Sequence, residues 1–363
     1  MSYIAEREVY RCCKKIVFTM DVFRIDPNSS NLSLTPNKNN VKWLNRLLGD
    51  IYSSLLGGGH IMLFGDEHGT SSLRWRVYSN ADLPYSVEAW ARLYSVGQYQ
   101  SIIEEEVLSS IENSLVVTFE ASESLIEVFL ANGIPYIDLA IHPVRFLDDY
   151  MFAVRTNVSE WSQRLFELQT PEHIFYDFAK VISAKAVRLS CFEAIPEGSV
   201  LFLAQTAVDS SLISDGVMVD DDMIIEKLIK MGQVYPTVYY KHHPYYTNSK
   251  AARLVERSKN MAIADYNIYM ALGSQAFPKV CSFSSGTLHE AKYFGLESEK
   301  ILSSPNRFAN ELSPYSYVPI YRDALKYEFW SYVMGDIKIF KEKSLPDPFF
   351  GAVKDSSGMK WGK

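Results

Sequence analysis

The run Val238-Tyr239-Tyr240-Lys241-His242-His243-Pro244 ends an apolar stretch in a cation and two imidazoles. Some forty residues later, Val280-Cys281-Ser282-Phe283-Ser284-Ser285-Gly286-Thr287-Leu288-His289-Glu290-Ala291 ends another in hydroxyls and a glycine. Each reads as a buried strand with a polar C-terminal end, and in an open α/β sheet that edge is where ligands bind. Two such edges in one domain fit a nucleotide-sugar site. The turn Ser284-Ser285-Gly286-Thr287 opens a predicted helix, so its hydroxyls and backbone N–H groups face a phosphate at the positive end of the helix dipole. The imidazole of His243 is placed to hold or protonate the same phosphate, with Lys241 beside it.

Other chemistry-bearing residues also fall at strand ends. Val200 to Ala204 runs into Gln205-Thr206-Ala207-Val208-Asp209-Ser210-Ser211, which puts Gln205 and Asp209 at the ligand edge; Asp209 or Ser210 capping a helix or turn is an equally good reading. Asp220-Asp221-Asp222 contains the Asp-x-Asp of metal-dependent sugar transferases, but it stands directly before a helix, where capping explains it better. In the first half, Thr118-Phe119-Glu120 sets a carboxylate at a strand end. The segment Ile137 to Asp149 gathers His142, Arg145, Asp148 and Asp149 behind another strand. Arg145 has the planar fork for a carboxylate or phosphate, or it pairs with Asp148 in a structural ion pair. His60 and His68 flank a further strand, and His68 reads as a loop residue. Of seven histidines only His242 and His243 are adjacent, and neighbours cannot easily turn to one ion, so no structural zinc is expected.

The elements that position these groups alternate. Strands are predicted at Lys15 to Val22, His60 to Phe64, Ser114 to Phe119 and Ile134 to Ile141, with helices at Val41 to Leu56 and Ser122 to Asn132 and a polar loop at Asp26 to Asn40. Asp148 to Leu189 reads as helical throughout. After the Pro196-Glu197-Gly198 turn come a strand at Ser199 to Ala204, a loop at Gln205 to Gly216, a helix at Asp222 to Met231, the strand before His243, a helix at Ala251 to Lys259 and the strand before Ser284. Short apolar strands alternating with helices are the βαβ signature of parallel sheets. A chain of 363 residues exceeds the usual size of one core. The expected fold is therefore α/β with two Rossmann-like domains facing a cleft, residues 1–195 and 196–320, and a C-terminal helix and irregular tail at 321–363 that pack back on the pair. Neither domain carries G-x-G-x-x-G or a P-loop, which argues against dinucleotide and P-loop chemistry.

A net charge of -7 leaves no basic footprint for nucleic acid. The four cysteines have neither disulfide-framework nor metal spacing, and a reducing, cytoplasmic compartment is expected. No signal-peptide pattern opens the chain, and no apolar stretch approaches the ~20 residues that span a bilayer. Membrane contact is expected to be peripheral at most, at the inner face of the cytoplasmic membrane. The aromatic and basic stretch Phe329 to Lys343 reads better as a packed amphipathic helix than as a membrane contact.

The Lys241-His242-His243-Pro244 strand end and the Ser284-Ser285-Gly286 turn resemble the His-Pro and Ser-Ser motifs of bacterial GT-B sialyltransferases and related enzymes that use CMP-activated acid sugars. With Phe202 to Asp209, Phe119-Glu120 and His142-Pro143-Val144-Arg145-Phe146, the chain looks like the retaining β-Kdo transferases of bacterial capsule and lipopolysaccharide O-antigen assembly. The resemblance covers mainly the second domain, and the Asp-rich motif of sialyltransferases has no counterpart in the first. It implies a first domain that binds a glycan or glycolipid acceptor and a second that binds CMP-β-Kdo. It also implies other polysaccharide-assembly enzymes as partners. Asp209 would be the nucleophile, Glu120 the general base, and His243 the residue that assists departure of CMP. Gln205, Lys241, Ser284, Ser285, Gly286 and Thr287 would hold the donor, and Arg145 and His142 would position substrate. Hydrogen bonds at the single phosphate would take the place of a metal, so no cofactor is expected. Two alternatives stay open: an inverting CMP-sialic acid transferase, in which Asp209 or Glu120 acts as base, and a non-catalytic nucleotide- or glycan-binding module.

Overall fold

The computed structural model describes residues 3–25, 38–64, 72–189, 195–303 and 307–349. In chain order, the strands β1 (Lys15–Met20), β2 (His60–Leu63), β3 (Ser114–Phe119), β4 (Tyr136–Ile141) and β5 (Phe152–Thr156) precede β6 (Val200–Leu203). Then follow the two-residue strands β7 (Ile213–Ser214) and β8 (Val217–Met218), and β9 (Val238–Lys241), β10 (Met261–Ile263), β11 (Lys279–Ser282), β12 (Glu297–Lys300) and β13 (Val318–Ile320). Among the described residues they form a six-stranded sheet, β13-β5-β4-β3-β1-β2, and a five-stranded sheet, β10-β9-β6-β11-β12, besides the β7-β8 hairpin.

All pairs in the second sheet are parallel. Val200-Leu201-Phe202-Leu203 is buried along its length, as a central parallel strand covered on both faces must be. From β6 the chain winds outward through β9 to β10, then returns to the other side of β6 for β11 and β12. The order therefore reverses between β6 and β11, and that reversal opens a crevice beyond their C-terminal ends. The pairing Cys281↔Phe202 makes the two strands end level, so Gln205 and Ser284 each stand two residues past a strand end at the crevice.

The first sheet has the same device. β1 is flanked by β2 and β3, both parallel to it, and the order reverses between β1 and β3. Met20↔Phe119 closes that ladder and sets Asp21 and Glu120 side by side. β5 is antiparallel to β4, and β13 antiparallel to β5.

Three expectations are corrected. The helical reading of Asp148 to Leu189 contains a strand: Phe152–Thr156 is buried throughout, which removes the polar face an amphipathic helix would show, and helices follow at Ser159–Leu168 and Glu172–Leu189. Val318–Ile320, assigned to the second half, pairs with β5 in the first sheet. The helix Glu172–Leu189, assigned to the first half, buries Ile174, Phe175 and Phe178 with Leu201, Leu203 and Val280 under the second sheet. The C-terminal helical expectation resolves into Tyr327–Val333, whose Phe329, Trp330 and Val333 pack into the first-sheet core with Ile16, Phe18 and Tyr52. The loop expected at Asp26 to Asn40 lies mostly outside the described residues, and its last three residues already belong to the helix Lys38–Leu55. No helix among the described residues is long and apolar enough to cross a membrane.

Candidate functional site

A cleft of about 910 Å³ runs between the C-terminal edges of the two sheets. Its walls include Glu120, Arg145 and His142 from the first half and Gln205, Asp209, Lys241, His243, Ser284, Ser285, Gly286 and Thr287 from the second. The structure thus brings every site residue named from the sequence to one cavity, across up to 167 residues of chain from Glu120 to Thr287.

At the β6/β11 crevice, Gln205 fixes the Ser-Ser turn. Its Oε1 accepts from the Ser284 backbone N–H at 2.9 Å and from Ser282 Oγ at 3.3 Å, and its Nε2 donates to Ser284 Oγ at 2.9 Å and Ser211 Oγ at 3.2 Å. Ser284 Oγ donates to the Ser211 carbonyl. The turn continues with Ser285 N–H on Ser282 Oγ and Thr287 N–H on Ser285 Oγ, both at 3.3 Å. The helix it opens, Thr287–Ala291, is five residues long and passes into a 3-10 turn, Lys292–Phe294. So short a helix carries little macrodipole, so the dipole expected from sequence is weak and what the turn offers an anion is its local N–H and O–H groups.

His243 lines the same cleft. Its Nδ1 accepts the Tyr245 backbone N–H at 3.2 Å, which leaves the ring proton of the neutral form on Nε2. Partial burial lowers its pKa, the nearby charge of Asp209 raises it, and that of Arg145 lowers it. Lys241 lines the cleft with Nζ bonded to the Tyr266 carbonyl, and burial lowers its pKa. Arg145 is exposed on the cleft with its guanidinium 5.8 Å over the Tyr150 ring. The Arg145–Asp148 ion pair weighed from sequence does not form: Asp148 takes the Tyr321 hydroxyl and Arg322. His142 is 3% exposed and stacked on Phe175, with His289 and Phe308 edge-on at 5.3 and 5.4 Å. Burial first, then the charges of His289 and Lys292, hold it far below the usual imidazole range. It shapes the floor as a neutral ring.

Glu120 follows β3 with φ of 50°, left-handed backbone that a glutamate adopts at a cost of about 1–3 kcal/mol. Asp82, Asn113, Asp215 and Gln275 share that sign; the Asp and Asn types tolerate it through local side-chain bonds, whereas Gln275, like Glu120, is not of that type. The turn is held by Glu120 N–H on Leu139 O at 2.8 Å and Ala121 N–H on Asp138 Oδ1 at 3.3 Å. Asp138 is itself fixed by Arg155 at 2.7 Å and Tyr317 at 2.6 Å. The Glu120 side chain is exposed on the cleft wall, near enough to Asp209 and Asp138 for their charges to act on it. Desolvation and then the charges of Asp209 and Asp138 push its pKa up to about 7. Asp209, on the opposite wall, is half-buried and caps the 3-10 turn Ser210–Leu212 by accepting Ser211 N–H at 2.8 Å. The capping reading holds, and since capping uses one of a carboxylate's several acceptor positions, it leaves others open to the cleft.

Asp220-Asp221-Asp222 is not part of the cleft lining. Asp220 caps the helix Asp221–Val234 through Met223 N–H at 2.8 Å, Asp221 accepts from Tyr246 and Lys250, and Asp222 pairs with Lys250. No three His, Cys, Asp or Glu side chains converge among the described residues. His60 lies on β2 with its ring bonded to Ile61 O, outside the cleft lining, and His68 and Cys191 lie outside the described residues.

Sequence reasoning missed Asp21 and Arg24 behind Glu120, and Lys300 and Arg307 at the β12 end of the cleft. Asp21 is buried, bonded to Trp90 at 2.8 Å, and desolvation raises its pKa to about 6. Arg307 pairs with Glu123 at 2.5 Å and donates to Tyr94 at 3.1 Å. Position past the ends of β1 and β12 was the available signal.

No family model matches the chain, and no curated protein matches it. Solved structures similar to it include the β-Kdo 2,7-transferase of Thermosulfurimonas dismutans KpsC, at 11% identity and TM-score 0.39 over 66% of this chain and 90% of that one, and the β-Kdo 2,4-transferase of the same protein, at 14% identity and TM-score 0.35 over 66% and 86%.

Proposed function

We propose that the chain is a metal-independent glycosyltransferase of GT-B architecture, with two Rossmann-like domains, that moves Kdo from CMP-β-Kdo to a glycan or glycolipid with retention. The carrying observation is the pair of carboxylates, Glu120 and Asp209, set on opposite walls of a cleft whose floor is a preformed hydroxyl and amide cradle. The anomeric carbon of such a donor is tertiary and bears a carboxylate, so departure of CMP leaves an oxocarbenium-like centre that fixed dipoles and charges must stabilise. In the first displacement an Asp209 oxygen bonds to that carbon as the bond to the CMP phosphate oxygen breaks and CMP leaves with the electron pair. Ser285 Oγ–H and His243 Nε2–H meet the charge that develops on the phosphate, and Ser284 joins them once its hydroxyl turns away from the Ser211 carbonyl. In the second, Glu120 takes the proton of the acceptor hydroxyl, whose oxygen displaces Asp209. Two inversions restore the starting configuration. A carboxylate with its pKa near 7 is suited to that base role near neutral pH.

In this reading the chain works at the cytoplasmic side of surface-polysaccharide assembly, alongside other enzymes of that pathway. Calorimetry with CMP, UDP and GDP is expected to show preference for CMP, and NMR of the product a β-Kdo linkage. Preference for UDP overturns the donor. An α-linked product, or turnover of CMP-sialic acid but not CMP-Kdo, overturns the retaining Kdo reading in favour of an inverting one, and nucleotide binding without any transfer favours a binding module.

A further inference from the structure

The segment that carries Arg145 belongs by sequence to the first half, yet it is fastened to the second. Glu290, on the helix opened by the Ser-Ser-Gly turn, is 2% exposed. Its Oε1 accepts the Arg145 backbone N–H at 2.7 Å and the Tyr269 hydroxyl at 3.2 Å, and its carboxylate also bonds the Thr287 side chain. One turn earlier, Gly286 approaches Pro143 so closely that an added Cβ would stand 3.2 Å from the proline Cβ. His289 meets the His142 ring at 5.3 Å, and Val144, Phe146 and Leu147 share a core with Leu201, Val280 and Leu288. A buried carboxylate is costly, and a hydrophobic side chain would hold two segments together as well or better. What a carboxylate adds is a fixed acceptor at one backbone N–H, and so a fixed place for the residue that bears it. Arg145 is that residue: its side chain lines the cleft, close enough to His243 for its charge to oppose protonation there.

We propose that Glu290 is a positioning residue that locks Arg145 to the Ser284–Thr287 cradle, so that the guanidinium and the turn meet the donor's anionic part as one rigid unit. This rests on the reading of the cleft as a nucleotide-sugar site. Arg145 is then a donor-binding residue delivered by the first half of the chain but held by the second. The Glu290–Arg145 bond has to be intact before donor binds.

The test is a double-mutant cycle read as the dissociation constant for CMP, with cooperative thermal unfolding as the control for folding. Arg145→Ala is expected to weaken CMP binding about tenfold or more, the worth of a charge-assisted contact to phosphate. Glu290→Leu is expected to weaken it about tenfold, and Glu290→Gln, which keeps an acceptor oxygen, by no more than about threefold. In the Arg145→Ala background, Glu290→Leu should cost nothing further, since a positioning residue has nothing left to position. Additive losses, or a folded Glu290→Leu protein that binds CMP as the parent does, overturn the proposal. Should Glu290→Leu not fold, Tyr269→Phe replaces it: a loss of about two- to threefold that disappears with Arg145→Ala supports the role, and an unchanged or additive loss overturns it. If UDP or GDP binds in place of CMP, the cycle is run with that nucleotide. The donor assignment then fails while the role of Glu290 is still decided by additivity.

Discussion

The two crevices, one in each sheet, sit at equivalent topological positions and are chemically opposite. At β6/β11 the groups are neutral and satisfied: Gln205 alone makes four hydrogen bonds that set Ser284, Ser282 and Ser211 in place. At β1/β3 the groups are acidic and pushed toward protonation: Asp21, which is buried, to about 6, and Glu120, exposed on the cleft and on left-handed backbone, to about 7 by desolvation and the charges of Asp209 and Asp138. A binding cradle gains from being finished before its ligand arrives, because ordering then costs nothing on binding. A group that must exchange a proton gains from an environment that disfavours its charge. On the proposed function, the second sheet holds the donor and bond-making falls to the seam where Glu120 looks across at Asp209.

The largest effect that could break this division comes from exchanging the carboxylates. Asp209→Asn and Glu120→Gln are each expected to lower transfer on the order of 10³-fold or more. CMP affinity should stay within about twofold, since neither carboxylate is assigned to the nucleotide. Gln205→Ala should do the reverse, weakening CMP about tenfold by freeing the Ser284 turn, with a smaller fall in kcat. Comparable losses of binding and turnover in all three variants would mean that the crevices do not divide the labour.

Which parts of this site could be read from sequence follows from how local each signal is. Lys241 to Pro244 and Ser284 to Thr287 were legible because an apolar strand and its polar end are neighbours in the chain. Gln205 was legible as a position but not as a clamp, since its partners lie up to 79 residues away. Glu290 stood inside a quoted motif with no role assigned, because the N–H it accepts is 145 residues earlier. Arg307 was missed for another reason: the segment after β12 has no periodic pattern, and only its return to the first sheet as β13 brings it to the cleft. β5 was lost to helix because a strand buried on both faces has no alternation to betray it.

The acidic crevice also predicts a pH signature. Between the ordinary glutamate value and about 7 the folded chain holds a proton at Glu120 that the unfolded chain has lost, so this group makes stability fall as pH rises through that window. His289, lowered to about 4 chiefly by burial, and His142 act in the opposite sense: stability lost on acidification below the usual imidazole range returns as pH rises. Because the windows overlap, the parent's own profile does not separate them, but the difference from Glu120→Gln does. That variant is expected to melt about 1–2 °C higher than the parent at pH 8, an advantage kept small by the side chain's contact with solvent and gone near pH 4. In the parent, kcat/KM should rise with pH through about 7 as the base ionises. A Tm difference that does not change with pH, or a rate that falls across neutral pH, would place the proton on another group.

The smallest effect concerns the acidic residues that lie outside both crevices. Asp220-Asp221-Asp222 has the literal pattern of a metal-binding transferase motif, yet Asp220 Oδ1 takes the Met223 N–H and the other two carboxylates engage Tyr246 and Lys250. A cap of this kind is worth about 1 kcal/mol, because it satisfies an N–H that the first helical turn otherwise leaves to water. Asp220→Ala should therefore lower Tm by about 2 °C and leave transfer within about twofold of the parent. A loss of transfer beyond tenfold with Tm unchanged would turn that result around. The acidic run would then belong to the reaction, and the division between a neutral cradle and an acidic seam would need a third member.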